Sequence, residues 1–223
     1  MQYRTLGKTG QRVSALGFGA MRLPTLGKED DVNEAESIRL MRYAIDQGVN
    51  YVDTAYVYHG GKGEAVVAKA LADGYRQKVQ LATKMPTWSV QTLADCDRFL
   101  DEQLVRLQTD CIDFYLLHCL GKTSWEKIRD LGVRKWGAKA QADGRIRHFG
   151  FSFHDTCDAL ASILDDYDWS FCQIQYNFCN EDVQAGTKGL KHAAAKGIGV
   201  IIMEPLFGGT LANPPQPIQA LWD

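Results

Sequence analysis

The sequence predicts an α/β fold of the (β/α)8 TIM-barrel type, on three observations. Short apolar, β-branched runs recur along the chain, and segments with helical spacing separate them. The alternation repeats at near-equal intervals, with strand starts roughly 25 to 36 residues apart, which favours a barrel over an open sheet. No G-x-G-x-x-G follows a strand, which argues against a doubly wound domain.

Residues 3–6 and 11–14 flank Gly7-Lys8-Thr9-Gly10, a hairpin signal placed to plug the bottom of a barrel. Strands are expected over 15–18, 51–53, 79–83, 111–117, 146–151, 171–176 and 199–203. These runs are apolar on both faces, as parallel strands covered by helices are. Asn33, Thr92 and Thr156 each precede a periodic apolar stretch and are expected to cap helices. A helix over 186–196 is closed by Gly197, and 124–143 reads as helix interrupted near Gly132 and Gly137.

The spacing supplies seven strands and places an eighth roughly 25 residues or more after the start of the seventh, past Asp223. The expectation is one domain over 1–223: an incomplete barrel, truncated after its seventh strand. Such a barrel has open edges, so either the chain is a fragment of a longer protein, or the gap is closed by a partner, for instance in a homo-oligomer, or by rearrangement.

Composition narrows the function classes. Of 223 residues, 45% are hydrophobic and 23% charged, with a net charge of -2, so no basic face suggests nucleic acid. No apolar run approaches the ~18 residues of a membrane span, and the N-terminus has no apolar leader; a cytoplasmic protein is expected. Cys96, Cys111, Cys119, Cys157, Cys172 and Cys179 lack any C-x-x-C pair, so buried free thiols are expected and no metal site is predicted.

Chemistry in such a barrel sits at the carboxyl ends of the strands. Asp53 ends the second run, Tyr58 follows in its loop, Lys84 ends the third and His118 ends the fourth. Each would be costly to bury alone, so the set is expected to satisfy itself at one rim.

These residues also carry a resemblance. Asp53-Thr54-Ala55-x-x-Tyr58, Lys84 after an apolar strand, and Leu116-Leu117-His118 resemble the catalytic motifs of the aldo-keto reductase superfamily. Residues 6–10, 17–24, 144–152 and 203–209 are similar to the family in the same order, so the likeness spans the chain. The phrasing is closest to bacterial members with a C-terminal iron–sulfur segment, whose cysteines would lie past Asp223.

The resemblance implies an NAD(P)H-dependent oxidoreductase that reduces aldehydes and ketones, small-molecule carbonyl substrates, to alcohols. Tyr58 would be the general acid, with its pKa lowered by Lys84; Asp53 would orient Lys84, and His118 would hydrogen-bond the carbonyl oxygen. The implied cofactor is NADP(H) or NAD(H). Ser152 and Gln173 would hold its carboxamide, Met203 would pack near the ring, and Gly19, Ala20, Met21, Leu206 and Gly208 would line its diphosphate. Two positions depart from many members: Met203 stands where an aromatic residue is common, and Phe153 follows the serine where asparagine is common. His59, Trp88 and Phe18 are placed to wall the substrate pocket. A second implied reading is a cofactor-binding regulatory or catalytically weak subunit.

Overall fold

In the computed structural model, which describes residues 1–222, a hairpin precedes one curled parallel sheet. Strands β1 (Tyr3–Thr5) and β2 (Arg12–Ser14) pair antiparallel, Tyr3 opposite Ser14. The sheet holds β3 (Phe18–Gly19), β4 (Tyr51–Asp53), β5 (Gln80–Met85), β6 (Ile112–Leu120), β7 (Ile146–Phe153), β8 (Phe171–Gln175) and β9 (Gly199–Met203). Each strand lies beside its successor in the chain, as repeated βα units require, and β3 and β9 are the two edges among the described residues.

Period-two alternation divides each strand between an outer and an inner face. On the outer face, Val52, Leu81, Tyr115, Leu117, Phe151 and Cys172 join the main core against the helices. On the inner face, Tyr51, Ala82, Phe114, Leu116 and Phe171 form a second cluster with Leu6 and Val13 of the hairpin. The hairpin is therefore the floor of the half-barrel, tied on by Lys8 N–H donating to the Gly197 carbonyl at 2.7 Å. The same alternation puts Asp53, Lys84, His118, Ser152 and Gln173 on the inner face, each two residues beyond a floor position.

Helices cover the outer face: α1 (Glu34–Asp46), α2 (Gly63–Leu71), α3 (Leu93–Leu107), α4 (Lys122–Asp130), α5 (Val133–Ala142), α6 (Cys157–Asp166) and α7 (Gly186–Ala195); α8 (Gln216–Trp222) follows β9 in the chain. Asn33 Oδ1 accepts from Glu36 N–H at 3.2 Å, and Thr156 Oγ1 from Ala159 N–H at 3.4 Å. At α3 the cap is reciprocal, with the Asp95 carboxylate accepting from Thr92 N–H at 2.9 Å. Helix α2 has no counterpart in the sequence pattern. Seven of its residues are buried, including Gly63, Val66, Val67 and Ala70, so no amphipathic stripe marks it.

Gly132, with φ of 96°, separates α4 from α5 as expected. Gly137 does not interrupt anything; it sits inside α5, where a Cβ would come within 2.5 Å of the Phe149 ring. Close helix–sheet packing, not a break, explains that glycine. Helix propensity favours alanine there by about 1 kcal/mol, but the clash with a fully packed ring outweighs it. Gly137→Ala is expected to destabilise the fold by about 1–3 kcal/mol net, read as a lower urea midpoint at constant slope. An unchanged or raised midpoint would show that Phe149 gives way freely.

Candidate active site

The rim residues meet around one ammonium. Lys84, 1% exposed, is on β5 and reaches inward between β4 and the loop that follows it. Its Nζ donates to Asp53 Oδ1, to the Thr54 carbonyl at 2.8 Å and to the Tyr58 hydroxyl at 3.1 Å. Three hydrogens thus have three acceptors, which is what a buried ammonium needs. Asp53 is secured from the far side by Gln173 Nε2, 3.3 Å from Oδ2.

Tyr58 starts a short 3-10 turn over Tyr58–Gly61 in which His59 and Gly60 take left-handed φ of 53° and 63°. The turn delivers the phenol back over Lys84, whose Nζ is 4.8 Å from the ring centroid. The His118 ring lies edge-on to Tyr58 at 5.9 Å, and the Trp88 ring packs on His118 at 5.3 Å. Thr87 Oγ1 donates to the His118 carbonyl at 2.7 Å and fixes that stretch of β6.

Protonation states follow from burial and neighbours. Burial pulls Lys84 toward neutrality, but Asp53 and Tyr58 together more than offset it; the ammonium is held above its ordinary value and stays charged. Burial pushes the Tyr58 phenol up, Lys84 pulls it down and Asp53 pushes it up again, for a net rise. The lowered tyrosine pKa expected from the sequence is therefore reversed: without solvent, one ammonium shared with Asp53 does not overcome desolvation. Burial first, then Lys84 and His154, depress His118 to about 3, so its imidazole is neutral; its Nδ1 is buried with no partner among the described residues.

Ser152 and Gln173 are register partners on β7 and β8. Ser152 Oγ accepts from Cys119 N–H at 2.9 Å and its own hydrogen goes to no described residue. Gln173 Oε1 is buried with no partner among the described residues. A free donor beside a free acceptor is complementary to a primary carboxamide. Gly19 pairs with Asp53 at the β3 edge, and Met21 is exposed beyond it. Ala20 is buried, with its carbonyl 3.1 Å from His59 Nε2. Met203 ends β9; past it, Leu206 is exposed and Gly208 takes a left-handed φ of 68°.

His59 was expected to wall the pocket and does not. It is 2% exposed and turned away, with Nδ1 2.8 Å from the Glu29 carbonyl and Nε2 accepting from Leu23 N–H at 3.3 Å. It pins the loop after β3. Trp88 is half exposed and packs on His118.

Comparison with known proteins identifies the family. Residues 15–219 match the model of the aldo/keto reductase family. The chain belongs to that family. It is 31% identical to an uncharacterized oxidoreductase, YrpG, of Bacillus subtilis (strain 168), over 96% of this chain and 69% of that protein. Among solved structures, an aldo-keto reductase from Bacillus halodurans in its holo form superposes with a TM-score of 0.79 at 28% identity, covering 97% of this chain and 70% of that one. An aldo/keto reductase from Klebsiella pneumoniae in complex with NADP and acetate gives 0.76 at 27% identity, covering 95% and 71%. All six cysteines are free, but only Cys96 and Cys172 are buried as expected; Cys119, at the carboxyl end of β6, and Cys179, in the loop after β8, are exposed. Among the described residues no helix is long and apolar enough to cross a membrane.

The Lys84–Asp53 pair has a thermodynamic signature. Lys84→Met leaves the largely buried Asp53 carboxylate without its cation and is expected to cost about 3 kcal/mol or more. Adding Asp53→Asn should recover much of that loss, giving a coupling energy on the order of 1–3 kcal/mol in a double-mutant cycle. Additive losses would mean that the two side chains do not depend on each other.

Proposed function

We propose that this aldo/keto reductase chain forms the catalytic face of a carbonyl reductase, with Tyr58 as the group that gives a proton to the carbonyl oxygen. One observation carries this reading: Lys84 donates to the Tyr58 oxygen, so the phenolic hydrogen is left for a ligand. Desolvation keeps that hydrogen in place through neutral pH. Neutral His118 is the second donor at the same edge; it binds and orients the carbonyl oxygen without itself transferring the proton. Asp53 holds Lys84, and Lys84 steadies the phenolate that proton donation leaves behind.

The cofactor is NADP(H) or NAD(H), and the free donor–acceptor pair of Ser152 and Gln173 fits its carboxamide. When bound, the reduced nicotinamide supplies hydride to the carbonyl carbon. Met203, Gly19 to Met21, Leu206 and Gly208 border its path, and the NADP held by the Klebsiella pneumoniae relative supports NADP(H) use. Trp88 over His118 suits a small carbonyl compound with an apolar body. The free thiols support a reducing, cytoplasmic setting.

Tyr58→Phe removes the proton and little else. It is expected to bind NADPH as the parent does, by fluorescence titration, and to reduce 4-nitrobenzaldehyde about 10² to 10⁴ times more slowly. Parent-like turnover would exclude Tyr58 as the donor; binding without turnover in the parent would favour a regulatory subunit. The pH dependence has a definite sign. Reduction needs the protonated phenol, so it should persist through neutrality and fall as pH rises through the raised Tyr58 value. Alcohol oxidation needs the phenolate and should gain over the same interval. A reduction rate that falls between pH 6 and 8 would contradict this.

A further inference from the structure

Behind the rim, in the layer between sheet and helices, lies a buried polar network that the reaction does not itself use. Glu64 on α2, Thr83 on β5 and Gln103 on α3 are all fully buried. The Gln103 carboxamide nitrogen lies 2.7 Å from Glu64 Oε1, 3.1 Å from Thr83 Oγ1 and 3.1 Å from the Lys84 carbonyl. Its Oε1 accepts from the Tyr115 hydroxyl at 2.7 Å, and Thr83 Oγ1 donates to Glu64 Oε1 at 2.7 Å. The Lys84 carbonyl also accepts from Tyr56 N–H at 3.2 Å, in the loop that leads to Tyr58.

Stability does not account for this arrangement. Well-packed apolar side chains of the same volume would serve the layer as well or better, because each polar group here had to be stripped of water. Burial pushes the Glu64 carboxyl up even though Thr83, Gln103 and Arg106 hold it down. What hydrogen bonds supply and apolar contacts do not is direction. The directed bonds end on the main chain of Lys84, at the point where Tyr56 also bonds. Gly63, the residue before Glu64, lies directly under Tyr58; a Cβ there would be 3.1 Å from the Tyr58 carbonyl.

We infer that Gln103, aimed by Glu64 and Thr83, is a positioning residue for the Lys84–Tyr58 pair. It clamps the Lys84 main chain to the Tyr56 loop and so sets how closely the ammonium approaches the phenol. The inference rests on Tyr58 being the proton donor. It assigns Gln103 no contact with substrate or cofactor.

The test compares the parent with Gln103→Met, Glu64→Met and the conservative Glu64→Gln, which keeps an acceptor for Thr83 and Gln103. The two methionine variants should remain folded, bind NADPH with unchanged Kd and show kcat lowered about tenfold with KM within about twofold. Glu64→Gln should retain most of the parental kcat. A readout independent of turnover is the ¹³Cζ resonance of Tyr58 in labelled protein, assigned by its loss in Tyr58→Phe. The ionisable groups facing it are Lys84 on β5, Asp53 on β4, and His118 and Cys119 on β6. In Gln103→Met its titration midpoint should rise by about half a unit or more, as the ammonium's pull weakens.

An unmoved midpoint together with parental kcat in a folded Gln103→Met protein overturns the inference. Should that variant not fold, Thr83→Val, which removes fewer contacts, is judged on the same two readouts. If the parent neither binds cofactor nor turns over, the reading of Tyr58 as donor fails, while the resonance still decides whether Gln103 sets its environment.

Discussion

The structure depends on how one buried ammonium is satisfied. Lys84 has lost nearly all contact with water, and without partners it would be driven toward its neutral form at a cost of several kcal/mol, comparable with a domain's net stability. Its three acceptors come from three places: the end of β4, the backbone just beyond it, and the turn that carries Tyr58. Meeting that requirement fixes the register of β4 against β5 and the path of the loop after β4. The electrostatic debt of one side chain thereby builds the site.

That site is polar on a scaffold that is otherwise strictly layered. Outer-face positions feed a continuous apolar core with the helices, and inner-face positions feed a smaller one capped by the hairpin. Where the inner face runs out of apolar residues, at the carboxyl ends of the strands, Asp53, Lys84, His118, Ser152 and Gln173 take over. Hydrophobic layers below and around them exclude water, and this is why Tyr58 keeps its proton and His118 refuses one. In the proposed reading the two groups meet a carbonyl oxygen in complementary states: the protonated phenol gives up its proton, and the neutral imidazole donates a hydrogen bond without transferring one.

Support for the site extends outward through directed bonds. Thr87 holds the carbonyl of His118, Gln173 holds Asp53, and His59 holds the loop after β3. The Glu64–Thr83–Gln103 network does the same for the Lys84 main chain. Each of these bonds ends on a residue at or beside the rim.

Much of this was legible in the chain itself. Repeating apolar runs and capped helices specify parallel βα units, and period-two alternation sends Asp53, Lys84 and His118 to one face because each stands an even number of residues from an inner-core position. Caps at Asn33, Thr92 and Thr156 were readable because they are local hydrogen bonds between residues three apart. Helix α2 was not, since burial on all sides erases the periodicity that marks a helix, and Gly137 was misleading because its reason is a ring on another element. Tertiary structure alone decided the rest. Whether Tyr58 rises or falls in pKa depends on desolvation set against one shared ammonium, and whether His59 faces the cleft depends on a left-handed turn. Local sequence determines which bonds and faces are available; only packing sets the dielectric and the distances that give those groups their chemistry.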